Sequence, residues 1–359
     1  MTTLQFIALS VCCLVCVPAA AATPVPAPAP ACIAMRLDPR TNMFRIQPEY
    51  RVTAAARQRT AADVFIRFLH SGQTGYWGDV ALDWPASASN AVLYAAALWA
   101  IYLNSPVQIT LEACWTASLG PGVLGHSGAI GASRDFSGAP QTNTWYQIAL
   151  ANALHGSDLD PAKDDFAMAF SSSFSWYYDT NGLPPIGQVD LVSVVLHEVC
   201  HGLGFAGSMR ISAGVGSWGY GTPYPYIYDR FTENGISNAL LNTTLFPNPS
   251  VALRNQLISA NIFFNGAAAN AGNGGPRPKL YCPAVWSDGS SYAHLNDATY
   301  DGTSNALMTS SIGFGEAIHI PGPVTLGLLN DEGWVVVPEP AVIQYGLLVA
   351  IGIVLRLKG

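Results

Sequence analysis

The sequence predicts an α+β fold. A twisted mixed β-sheet supports one helix that carries the reactive residues, and a loop-rich C-terminal subdomain follows. Three observations predict it. Helical and extended runs occur in the order helix, strands, helix, irregular chain and a last helix, an α+β order. Half of the 359 residues are hydrophobic and 11% are charged, which suffices for a sizeable core in one large domain or two ordinary ones. The 34 glycines and 25 prolines imply many turns, and residues 205–290 read as the most loop-rich stretch.

The N-terminus comes first. Phe6 to Val17 is a continuous apolar run, and Pro18 with Ala19 to Ala22 offers a small-residue cleavage site, so residues 1–22 read as a secretory signal peptide that lacks a basic start. Residues 23–31 form an extended Pro/Ala linker. Residues 32–80 are an N-terminal segment and candidate prosegment, in which Ala54 to Leu69 has helical spacing. The main domain spans residues 81–336. Ala86 to Asn104 reads as a helix with Ser87 or Ser89 as its cap. Val107 to Trp115 alternates like a strand, and Leu119 to Gly131 reads as a glycine-rich turn. Thr144 to Ala153 fits a strand or a short helix. Phe166 to Ser173 is a strand, and Phe174 to Tyr178 extends the sheet edge. Asp190 caps a helix from Leu191 to about Leu203. Leu253 to Phe264 is the best helical stretch of the loop-rich part, Ala267 to Gly275 reads as a flexible loop, and Val324 to Glu332 is a last helix.

Charge and cysteine content narrow the function. A net charge of −7 with no internal run of Lys or Arg excludes a nucleic-acid partner. After export, Cys32, Cys114, Cys200 and Cys282 remain, enough for two disulfides whose pairing the sequence leaves open. Asp158, Asp160, Asp164 and Asp165 lack the spacing of a calcium loop and read as a solvated turn.

The chemistry concentrates in His197-Glu198-Val199-Cys200-His201. Residues i and i+4 share a helix face, so His197 and His201 can hold one metal ion while Glu198 reaches a water on it. Zinc lowers the pKa of such a water to about 7, and a carboxylate can then take its proton during attack on a carbonyl. The pattern arises by chance in roughly 0.3% of chains of this composition, which favours a built site over a coincidence. An apolar set, Leu191, Val192, Val194, Val195 and Leu196, precedes it, and Gly202 and Gly204 follow where a helix ends. Two histidines leave zinc one protein ligand short. Candidates are His70, His126, His155, His294 and His319, or a carboxylate, Asp229 or Glu233. Position 207, where a compact third ligand would fall, is Gly207.

His197-Glu198-x-x-His201-x-x-Gly204-Phe205, then Ser290 to Leu295 around His294, then Asn305 to Thr309 around Met308, resembles the leishmanolysin family of metzincins. The resemblance spans roughly Ala86 to Trp334. It implies a metzincin-like zincin fold, Zn2+ as cofactor, His197, His201 and His294 as ligands, Glu198 as general base, and Met308 as a hydrophobic floor beneath the metal. Val337-Pro338-Glu339-Pro340, an apolar stretch from Ala341 to Leu355, and Arg356 with Lys358 resemble a PEP-CTERM sorting signal over residues 337–359. That stretch is shorter than the roughly 20 residues that span a bilayer. This second resemblance implies a Gram-negative envelope or extracellular location, with the membrane and a sorting enzyme as partners. The function expected is zinc-dependent endopeptidase action on protein or peptide. The alternative is a non-catalytic extracellular matrix or surface protein that keeps a structural zincin-like site. Cys32 is a candidate thiolate for a latent form.

Overall fold

A computed structural model describes residues 32–48 and 62–337. The signal segment, the Pro/Ala linker, the sorting segment after Val337 and the first half of the expected helix Ala54–Leu69 lie outside the described residues. The second half of that helix is a strand instead. Its β-branched and aromatic residues Val64, Phe65, Ile66 and Phe68 pair along a neighbouring strand rather than close helical turns.

Among the described residues six strands make one sheet: β1 (Ile33–Thr41), β2 (Val64–Phe68), β3 (Ile109–Thr116), β4 (Val123–Ala129), β5 (Phe166–Ser171) and β6 (Ser311–Phe314). Their order across the sheet is β6-β1-β4-β5-β3-β2. β2, β3 and β5 run parallel, and β4 runs antiparallel to both β5 and β1. β1 is parallel to β6. The expected α+β class with a mixed sheet is therefore what the chain adopts.

Among the described residues seven α-helices accompany it: α1 (Ala86–Tyr102), α2 (Ile148–His155), α3 (Leu191–Leu203), α4 (Val251–Leu257), α5 (Ala267–Gly272), α6 (Asp297–Tyr300) and α7 (Pro323–Glu332). α1 begins directly after Pro85 and neither Ser87 nor Ser89 caps it. α3 is capped as its sequence implies: the Asp190 carboxylate accepts from the Ser193 backbone N–H at 2.8 Å. Every residue of α3 is buried, between α1 and the sheet. Indoles hold it from two sides. Trp99 on α1 donates to the Leu196 carbonyl at 2.9 Å, and Trp334 donates to the Leu203 carbonyl at 2.8 Å, satisfying a carbonyl at the helix end.

Several expectations are corrected. Leu119–Gly131 is not a turn, because its core is β4. Gly125 obscures it: a Cβ there would lie 3.0 Å from the Phe170 ring and 3.1 Å from the Ala169 carbonyl, so only glycine lets β4 lie this close to β5. Trp176–Tyr177 pairs with Val189–Asp190 in a separate ribbon and does not extend the main sheet. Leu253–Phe264 splits into the end of α4 and a strand, Ile262–Phe264, paired with Thr232–Asn234. Ala267–Gly272 is a helix because Asp331 accepts from the Ala268 and Ala269 N–H groups at 2.9 and 2.8 Å. The four described cysteines are all unpaired. No described helix is long and apolar enough to cross a membrane.

Beside β6, Glu316 accepts from the Gly313 N–H at 2.9 Å and is buried near Asp301 and Asp38. Burial, and then the neighbouring acids, push its carboxyl up to about 7. Between the usual carboxyl value and 7 the folded chain keeps a proton that the unfolded chain releases, so stability falls as pH rises through that window. Glu316→Gln removes this slope. Its melting temperature relative to the native chain is expected to rise between pH 4.5 and pH 7.5, read by thermal melts at both values.

Candidate metal centre

The HExxH histidines leave α3 one turn apart, and the chain then turns at Gly204. That turn presents the Phe205 carbonyl to His201, whose Nδ1 donates to it at 2.7 Å. His197 Nδ1 donates to the Leu307 carbonyl at 2.7 Å, and His294 Nδ1 to the Ser290 carbonyl at 2.6 Å. A carbonyl only accepts, so each ring carries its proton on Nδ1 and turns a lone pair outward from Nε2. The three Nε2 atoms face one another at 2.9, 3.1 and 3.3 Å. Three lone pairs at this spacing repel unless a cation lies among them. Tetrahedral coordination at the usual zinc–nitrogen length of roughly 2.05 Å puts nitrogens about 3.3 Å apart, so the triad fits a divalent ion. Among the described residues it is the one His/Cys/Asp/Glu group whose atoms converge this way.

Burial keeps the rings neutral. It lowers His197 and His201 well below the ordinary histidine value, with the neighbouring rings adding to the effect, and takes His294 down to about 4. Neutral imidazole is the ligating form. Glu198 is also fully buried, and burial pushes its carboxyl up. Its Oε1 accepts from the Met35 N–H at 3.2 Å, while its Oε2 is buried with no hydrogen-bond partner among the described residues. A carboxylate oxygen left bare in the interior is costly, and such a group beside a ligand triad is a mark of function.

Of the candidate third ligands, only His294 joins the pair. Asp229 is bound instead by the Ser208 N–H at 2.9 Å, the Ser208 hydroxyl, the Tyr226 N–H at 2.9 Å and the Tyr292 hydroxyl at 2.9 Å. Glu233 pairs with Arg277 at 2.7 Å. Gly207 explains why no ligand occupies that position: a Cβ there would fall 2.3 Å from the Tyr292 ring and 2.5 Å from the Asp229 carboxylate. His319 sits at the N-terminal end of α3, bonded to Asp190 at 2.7 Å, His70 is exposed, and His155 is half-buried at the end of α2, beside Ser157. His126 lies on β4, between Asp79 at 2.8 Å and the Cys32 thiol. Cys32 therefore meets His126 and not the triad in this arrangement. Met308 is fully buried in the short turn Ala306–Met308, whose Leu307 carbonyl orients His197. Of the acidic cluster, Asp160 pairs with Lys163 and Asp164 with Arg67, but Asp165 is not part of a solvated turn: it is buried, accepts from the Asn152 amide and the Thr110 N–H, and burial pushes its carboxyl up to about 6.

A family model described as SPBPB7E8-like matches residues 157–266. The match covers less than a third of the chain. It includes β5 and α3 with His197, Glu198 and His201, and it stops before His294. No curated protein and no solved structure matches the chain. The resemblance to leishmanolysin-type metzincins with a PEP-CTERM signal is thereby corrected, because the matching family is another and no metzincin or peptidase family is found. The motif misleads for a physical reason. An i, i+4 histidine pair with an adjacent glutamate follows from helix geometry and metal coordination, which unrelated chains can meet independently.

Proposed function

We propose that the chain is an exported, zinc-dependent endopeptidase with Glu198 as general base. The observation that carries the reading is the convergence of three neutral Nε2 lone pairs beside a buried carboxylate oxygen without a partner. Zinc held by His197, His201 and His294 would polarise a water and a peptide carbonyl there, with imidazole donors suiting zinc among the divalent metals. Glu198 would take the proton of the attacking water. Burial, by raising its proton affinity, suits it to hold that proton and then pass it to the departing peptide nitrogen. The Leu307, Phe205 and Ser290 carbonyls would keep the three rings in the ligating tautomer. Export rests on the Phe6–Val17 apolar run and the alanines after it.

A second reading has one observation in its favour. Glu198 and the three histidines have no exposed surface, as in a structural metal site of a non-catalytic surface protein. Metal analysis of the full chain, with casein cleavage measured before and after chelation, tests the first reading. Stoichiometric zinc and chelator-sensitive cleavage are expected. Stoichiometric zinc with no cleavage of any peptide pool, even after β1 is displaced, would favour the second.

A further inference from the structure

A peptidase must admit its substrate to the metal, yet no surface of Glu198 or of the triad is open. The segment lying against Glu198 is β1. Its first half runs antiparallel to β4, with Ile33 opposite Ser127, Ala34 opposite His126 and Met35 opposite Gly125. Its backbone is held from several sides. The Ala34 N–H donates to the Gly289 carbonyl at 2.8 Å, the Arg36 N–H to Ser310 at 3.2 Å and the Leu37 N–H to Gly122 at 2.9 Å. Between them the Met35 N–H donates to Glu198 itself. Side chains alternate as on a bound extended peptide. Ile33 packs on Ala206 and Ala293, Met35 is fully buried in the core, and Arg36 is exposed. At the Cys32 end a cleft of about 270 Å3 continues past Ile33, between Met209, Tyr220, Trp286 and Tyr292.

We infer that residues 32–38 occupy the substrate's own backbone groove, as an internal plug that holds this chain shut. The groove takes an extended polypeptide by strand addition to β4, with an apolar side chain where Met35 lies. This inference rests on the endopeptidase reading. Met35 supplies the strongest link. Its amide nitrogen touches the base that must protonate the departing nitrogen of a cut peptide. β1 is an interior strand, paired on its other side with β6 through Arg36, Leu37 and Asp38, so its withdrawal would leave β4-β5-β3-β2 a continuous sheet and open a slot whose walls are the free edges of β4 and β6.

The test places a site-specific protease sequence within residues 49–61 of the full chain. Cut and uncut chains are compared for zinc content, casein cleavage and binding of a fluorescent synthetic peptide of residues 32–41. Both are expected to hold zinc. The cut, washed chain should cleave casein about tenfold faster or more. The peptide should rebind and restore the block by raising KM with kcat unchanged. Equal cleavage by cut and uncut chains, or a zinc-loaded cut chain that ignores the peptide, overturns the inference. Should the cut chain unfold, Met35→Lys in the uncut chain decides, because a buried charge expels the strand. Loss of stability and zinc with no gain in cleavage then refutes the plug. Absence of zinc in every form sinks the endopeptidase reading alone, and peptide rebinding still decides whether the groove accepts a strand.

Discussion

Glu198→Ala is expected to lower peptide hydrolysis by roughly a thousandfold or more while the chain still binds zinc in full. Glu198 is not among the converging ligand atoms, so its loss leaves three Nε2 donors in place. What disappears is the proton acceptor beside the reacting water. Glu198→Gln separates this role from contact with β1. The amide oxygen can still accept from the Met35 N–H, but the side chain can no longer take a proton. Both variants should therefore be inactive, and the glutamine form should keep the native strand arrangement. The metal-free glutamine form should melt close to the native chain, because burial already favours the neutral form of Glu198 and the amide leaves the same buried atom without a partner. Metal analysis, casein cleavage and thermal melts check all three. Unchanged hydrolysis in Glu198→Ala would end the catalytic reading.

His294→Ala is expected to abolish both metal binding and activity. It removes one of three ligands that lie fully buried, and the helix pair His197 and His201 cannot complete the site. Affinity should fall by well over the roughly 100-fold that follows loss of a group merely orienting a ligand. Competition with a chromogenic chelator measures it. Zinc added at about 100 times its dissociation constant should stabilise the native chain by roughly 2.7 kcal/mol and the variant by almost nothing. His70→Ala, at an exposed position, is the matching control and should bind as the native chain does.

The parts of the site that were legible in the sequence follow from local geometry. Asp190, the apolar set from Leu191 to Leu196 and the His197–His201 spacing define α3, its cap and two ligands without reference to the rest of the molecule. His294 was reached through a resemblance that the comparisons do not uphold, and its position nonetheless converges with the pair. What stayed illegible is held by distant partners. The Ala267–Gly272 helix exists because Asp331 caps it from the far end of the chain. The strand at Val123–Ala129 is disguised by Gly125, which lets it lie close to Phe170. Nothing in Cys32-Ile33-Ala34-Met35 announces that its backbone meets Glu198, 163 residues away for Met35.

The spacing of the ligands has a mechanical side. Two rings belong to α3 and the third arrives 93 residues later. No disulfide links any described cysteine, so an ion shared by these rings would be a cross-link tying the later chain to the earlier. It would close a long loop and remove freedom from the unfolded ensemble, much as a covalent bridge does. Chelation would then do more than silence chemistry: it would unfasten the half of the molecule that carries Ser290 and His294 from the helix beneath it.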